Sequence, residues 1–209
     1  MKNTTILLLL ILIQGCSKEN TVSLSIDPIV NEHFNKKEIQ ELDGLLEFFE
    51  NEMTSSTSSG DIYEKYELFF GNLQLEDNKP IISFNKQEKL IAELDPKLLN
   101  EIWYYELEYV PYLNDTVKLI RYPMKGKYFE FLFAASEKNE GIEKYFDNYS
   151  VGCLRPSLLA NSMKYNITNK LNYGLNMERN RLIIAINYLI YNDYLRLEEN
   201  QRNKEEFSQ

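Results

Sequence analysis

The residues of this chain that could do chemistry are few, and their scarcity limits the options. His33 is the only histidine, and Cys16 and Cys153 are the only cysteines. A thiol nucleophile needs a neighbouring base to lower its pKa, and the one histidine stands close to the N-terminus, far along the chain from Cys153. One histidine and one spare cysteine cannot build a Cys/His metal shell, so neither a metal nor a cofactor is expected. No G-x-S-x-G occurs and no glycine-rich loop follows a strand, which removes nucleophile-elbow and phosphate-cradling motifs. What remains is a carboxylate pair, Glu106 and Glu108, set among Trp103, Tyr104, Tyr105 and Tyr109. On a strand an i, i+2 pair shares one face. Glycosidases place two carboxylates ~5–10 Å apart around a cleft, a geometry that neighbours on one strand face do not make. The pair therefore reads as a solvated face, and no catalytic residue is assigned.

The aromatics around that pair suggest binding. Trp103, Tyr105 and Tyr109, with Glu106 and Glu108, form a candidate surface for a glycan or peptide, because Trp and Tyr give large contact area at low entropic cost. The competing expectation is stronger. An alternating strand must bury one face, so half of these rings should lie in the core. A non-enzymatic interaction protein is the first reading, a glycan- or peptide-binding module using the aromatic stretch Trp103–Tyr112 the second, and a carboxylate-dependent hydrolase the third.

The N-terminus carries the most specific pattern. Lys2 precedes an eight-residue apolar run, Ile6 to Ile13, and Ile13-Gln14-Gly15-Cys16 follows at once. At ~1.5 Å per residue the run covers roughly 12 Å, far short of the ~30 Å hydrocarbon core. A basic start, a short apolar stretch and a small residue before the cut are the marks of an export signal. The ending resembles the lipobox of bacterial lipoproteins: Ile13, Gly15 and Cys16 stand where that family has an aliphatic residue, a small residue and its invariant cysteine, while Gln14 is bulkier and more polar than usual. The resemblance implies that residues 1–15 are removed and that Cys16 carries a diacylglycerol thioether, with its new amine open to acylation. Ser17-Lys18-Glu19-Asn20 is similar to the surface-export signal of Bacteroidota lipoproteins, which implies the outer membrane and leaves two readings of the stretch open, a signal for surface exposure or an ordinary solvated tether. Asp115-Thr116-Val117 likewise resembles a Bacteroidota O-glycosylation signal.

Charge and cysteine usage sharpen that expectation. The net charge is −9, and losing residues 1–15 takes Lys2 with it and leaves 194 residues, enough for one domain with a sizeable core. Nucleic acid, which is bound through clustered Lys and Arg, is excluded as a partner. So is electrostatic docking on anionic lipid, which leaves acyl chains on Cys16 as the route to a bilayer. With Cys16 lipidated, Cys153 has no disulfide partner and reads as a small buried hydrophobe.

The elements that would position these residues are mostly helical. Ile39, Leu42, Leu45, Leu46 and Phe49 share a face of a helix over 36–51, opened by an Asn35/Glu38 capping box. Thr54 to Gly60 breaks it, and Asp61/Glu64 caps a second helix through Tyr66, Phe69 and Phe70, giving a helical hairpin. Residues 81–84 read as a short extended segment, followed by a helix capped by Asn85 and another opened by Asp95-Pro96. Tyr104–Val110 and Val117–Tyr122 alternate as the strands of a small hairpin. Helices over 128–135, 142–149 and from Pro156 follow, and a long helix after Asn176 is apolar nearly all round at 182–191, which predicts a central position. The expected fold is mainly α: a single helical domain over 35–197 with an antiparallel β-hairpin near residues 104–122. Residues 16–34 read as the lipidated tether and 198–209 as a polar, frayed tail.

Overall fold

The computed structural model describes residues 23–54, 60–72, 82–111, 114–151, 156–168 and 173–206. In chain order the elements are α1 (Pro28–His33), α2 (Lys36–Thr54), α3 (Ile62–Asn72), α4 (Phe84–Glu93), α5 (Pro96–Ile102), β1 (Tyr104–Val110), β2 (Asp115–Arg121), α6 (Lys127–Ser136), α7 (Glu140–Ser150), α8 (Pro156–Thr168) and α9 (Glu178–Glu206). This is the mainly α architecture, with one two-stranded antiparallel sheet, that the sequence predicts.

The helix starts are set by side chains that satisfy otherwise orphan backbone donors. At α2, Asn35 Oδ1 accepts from the Lys37 and Glu38 amides at 2.9 and 3.1 Å, and Glu38 returns a bond to the Asn35 amide at 2.8 Å. Asp61 and Glu64 repeat this reciprocal arrangement at α3. Asp95 caps α5 through the Lys97 amide at 2.9 Å, with Pro96 at the first helical position, where a missing N–H costs nothing. One boundary differs from expectation: Phe84 is the first residue of α4, not the end of an extended segment, and residue 81 lies outside the described residues.

The centre of the domain is α9. Every side chain from Leu182 to Ile190 is buried, and α2, α4, α6, α8 and β2 all pack against this helix. Burial on all sides forces its polar residues to find partners inside. Asn187 accepts from the hydroxyls of Tyr122 and Tyr145 and donates to the Met163 sulfur at 3.0 Å. Asn192 holds both the amide and the carbonyl of Ile82, at 3.2 and 3.0 Å, and donates to Gln87 at 2.8 Å. Beside Asn187 on the same stretch, Phe49 of α2 and Phe69 and Phe70 of α3 surround Tyr188, with ring centroids 4.8–6.1 Å apart in edge-on and tilted contacts. Such geometries suit the quadrupoles of aromatic rings.

Two expected boundaries are overturned. Within 16–34, the segment expected as tether, residues from Leu24 onward belong to the folded body. Leu24, Val30 and Phe34 are core residues, and Asp27 is fully buried. Asp27 Oδ1 caps α1 through the amides of Ile29 and Val30, while Oδ2 lies 2.5 Å from Nη1 of Arg179 on α9. The Leu24 amide donates to Glu178 Oε2 at 2.8 Å. Packing of Leu24, Ile29 and Val30, together with a buried ion pair, overrides the polar composition of the flanking chain. At the other terminus α9 extends to Glu206, past the helix end expected near Leu197. The residues 198–206 contain neither Gly nor Pro and are rich in Glu, Lys, Arg and Gln, which lose little side-chain freedom in a helix.

Candidate functional site

The two candidate groups from the sequence separate here. Cys16, the signal residues 1–15, Cys153 and the loop 55–59 lie outside the described residues. The aromatic group falls on the β1–β2 hairpin and its root. Trp103, included in the candidate surface, is 1% exposed and part of the core, so it cannot touch a ligand. Its place explains this: as the extended residue that caps the C-terminus of α5 it donates its amide to the Leu99 carbonyl at 2.8 Å and turns the chain from helix into strand. Tyr122, at the matching root position after β2, is also buried.

The root is tied to the central helix. Leu119 and Ile120 of β2 are buried, and the Ile120 amide donates to Asp193 Oδ2 of α9 at 3.2 Å. The register pairs Tyr105 with Ile120, Leu107 with Lys118 and Tyr109 with Thr116. Tyr104, Glu106 and Glu108 lie on the opposite face, across from Arg121, Leu119 and Val117.

The expectation that one face of β1 is buried fails. Tyr104 and Tyr105 are each 41% exposed, Tyr109 57% and Leu107 73%, and only Val110 of this strand reaches the core. The hairpin is rooted at Trp103, Ile120 and Tyr122, and between that root and the buried Val110 at the far end of β1 the side chains of Tyr104 to Tyr109 are exposed on both faces. Alternation in sequence describes the chemistry of two faces, but it does not say that anything covers the apolar one.

The two faces are distinct. On one, Arg121 donates from Nε to Glu106 Oε2 at 2.8 Å and from Nη2 to Glu108, so one guanidinium serves both carboxylates. Charge-assisted bonds of this kind set register more than they add stability at an exposed position. Two acceptors clamped by one cation, both about half exposed, are an ion-pair ladder and not an acid–base pair across a cleft. On the other face the Lys118 ammonium sits 3.6 Å above the centre of the Tyr105 ring, a cation–π contact. Burial, and then the carboxylates of Asp193 and Glu88, hold the Tyr105 hydroxyl above its ordinary pKa. Tyr109 donates to Asn114 Oδ1 at 2.9 Å, and Asn114 adopts a left-handed backbone (φ +50°) that brings its amide to the Pro111 carbonyl. Thr116 of the Asp115-Thr116-Val117 pattern is exposed on the same face as Tyr109.

Elsewhere the chemistry-bearing residues serve structure. His33 Nδ1 lies 2.8 Å from the Ile29 carbonyl, with its ring edge-on to Phe131. A cavity of about 150 Å³ lies between α2 and the start of α9, with Asp43, Glu47, Glu50, Glu178 and Arg181 in its wall. Burial, and then Glu178, raise the Asp43 carboxyl above the usual range. A second cavity, of about 370 Å³, runs between α2 and α4 over Phe48 and Leu90, rimmed by Lys86, Lys89, Glu52 and Glu93. Neither is lined by a hairpin residue. Among the described residues no group of three or more His, Cys, Asp or Glu side chains could hold a metal ion, and no helix is long and apolar enough to cross a membrane. No protein-family model, curated protein or solved structure matches this chain, so its hairpin and helical body must be interpreted from their own geometry.

Proposed function

We propose that this chain is a lipid-anchored envelope protein, held at the outer membrane by acyl chains on Cys16, whose helical body presents the β1–β2 hairpin to a protein partner. The observation that carries the interaction half is the exposed row Tyr105, Leu107 and Tyr109 on a strand whose root is fixed to the core. Scattered surface apolar residues are ordinary, but a contiguous aromatic and aliphatic row on a protruding, pre-ordered element is what interfaces use. Little conformational freedom is lost when such an element docks.

The anchor half is supported by the Ile13–Cys16 pattern and by charge. An acidic body gains nothing from anionic headgroups, so acyl chains supply the attachment at ~0.8 kcal/mol per buried methylene. Leu24, the first core residue among the described ones, stands eight residues after Cys16. At ~3.3–3.6 Å per residue that connection spans at most roughly 29 Å, so the body stays beside the bilayer.

Two experiments test the two halves. Cys16→Ala abolishes acyl labelling and leaves unprocessed precursor; labelling that survives refutes the anchor. A photo-crosslinking amino acid at Leu107, in the protein's own envelope, yields a discrete protein adduct, whereas one at Glu143, on the first turn of α7 where that helix meets Tyr173, does not. Equal yields from both positions, or none from Leu107, refute the hairpin as an interaction element.

A further inference from the structure

Deepening that reading, and resting on it, we infer that the free edge of β1 receives an extended segment of the partner polypeptide in which basic and apolar side chains alternate. β1 pairs with β2 along one edge only, and among the described residues no strand lies along the other. A strand at the edge of a sheet presents unpaired N–H and C=O groups, which are a template for an added strand. Tyr104 to Tyr109 are all exposed and none is proline, so nothing along the strand removes a donor until Pro111 ends it.

Side-chain parity then fixes the chemistry of the incoming segment, because residues opposite one another in a ladder share a face. On one face the newcomer meets Glu106 and Glu108, two carboxylates that share the single charge of Arg121 and so keep one net negative charge. Lys or Arg at alternate positions matches the remaining negative charge, and the net charge of −9 favours the approach of a basic segment. On the other face it meets Tyr105, Leu107 and Tyr109, which suit aliphatic or aromatic side chains. The sequence Tyr-Glu-Leu-Glu-Tyr therefore specifies a complement of the form apolar-basic-apolar-basic-apolar.

The same parity disfavours a second copy of this chain. Pairing two β1 strands antiparallel about Leu107 sets Glu106 of each against Glu108 of the other, with like charges directly opposite. Edge strands commonly carry charges that prevent self-association. Here those charges also select a partner of opposite sign.

The probe is a fluorescent peptide of alternating lysine and valine, titrated into the full mature chain, with a block-permuted peptide of identical composition as control. The alternating peptide binds, the permuted one binds at least about tenfold more weakly, and hydrogen exchange of β1 amides slows on binding. Glu106→Lys/Glu108→Lys weakens binding of the alternating peptide by about tenfold or more, with unchanged emission from buried Trp103 showing that the body remains folded. Equal binding of both peptides, undiminished binding to the charge-reversed variant, or slowed exchange elsewhere than in β1 overturns the inference. So does competition by soluble glycans that displaces the peptide, or self-association of the chain that buries β1 without it. If the peptide fails while the Leu107 crosslink persists, the strand-addition mode is wrong and the hairpin remains the interaction element. Loss of both removes the functional reading itself.

Discussion

The ion pair between Asp27 and Arg179 offers the sharpest test of how this fold is held together. Asp27 does two jobs with two oxygens: Oδ1 caps α1, and Oδ2 meets Arg179 Nη1 at 2.5 Å with neither side chain more than 9% exposed. Asp27→Asn keeps an oxygen that can cap the Ile29 and Val30 amides but removes the charge. Arg179 is then left buried without its counter-ion, which costs ~3–5 kcal/mol, far more than the ~1 kcal/mol of a cap alone. For a chain of this size each kcal/mol moves the midpoint by ~2–4 °C, so Tm falls by roughly 6–20 °C. Urea denaturation followed by Trp103 emission and by far-ultraviolet circular dichroism measures the free energy directly. Among the described residues the Arg179 Nε has no partner in its buried setting, so Asp27→Asn/Arg179→Met removes the unpaired charge and recovers most of the loss. A single variant within ~0.5 kcal/mol of the parent, or a double variant as unstable as the single, would refute the reasoning. If residues 23–34 were tether, neither substitution would register.

Two further outcomes follow from burial. Trp103→Ala lowers stability by ~3–5 kcal/mol, while Tyr109→Ser at the hairpin tip changes it by less than ~0.5 kcal/mol, a contrast read by the same urea titrations. Alkali destabilises the fold through tyrosines: burial raises the hydroxyls of Tyr66, Tyr122, Tyr128, Tyr145, Tyr149, Tyr173 and Tyr188 above their ordinary value. Above pH ~10 the unfolded chain loses these protons and the folded chain keeps them, so stability is full below that pH and falls as it is exceeded. Absorbance at a phenolate wavelength rises in two steps, exposed tyrosines first and buried ones together with unfolding; a single non-cooperative titration would contradict the assignment.

Helices were legible in the sequence wherever a cap and an apolar period coincide. Asn35 with Glu38 and Asp61 with Glu64 mark their helices almost to the residue. The all-round apolar stretch at 182–191 correctly predicts the central position of α9. The N-terminal boundary was harder, because Leu24, Ile29, Val30 and Phe34 follow neither a helical nor a strand period, and their burial depends on Glu178 and Arg179, about 150 residues away. A signal was nonetheless present: Asp27-Pro28 is the same cap-and-proline pair that opens α5 at Asp95-Pro96. For the hairpin, alternation located the strands and the grouping of side chains but not their exposure. Whether Tyr105, Leu107 and Tyr109 are covered depends on tertiary contacts that a period-two pattern does not encode. Trp103 was misplaced for the complementary reason, since it adjoins the aromatic run in sequence but ends a helix in space.

The clamp of residues 24–27 on the first turn of α9 has a mechanical consequence. In a chain held at its N-terminus, tension enters the fold at Leu24 and Asp27, whose partners Glu178 and Arg179 are neighbours at the start of the central helix. A pull on that end is therefore delivered to the start of the central helix, not to a peripheral helix that could peel away by itself. Two links share this load, the amide–carboxylate bond at Leu24 and the guanidinium–carboxylate pair at Asp27, and the second is screened from water. Force spectroscopy pulling from the N-terminus would meet its resistance there, and Asp27→Asn would lower the rupture force.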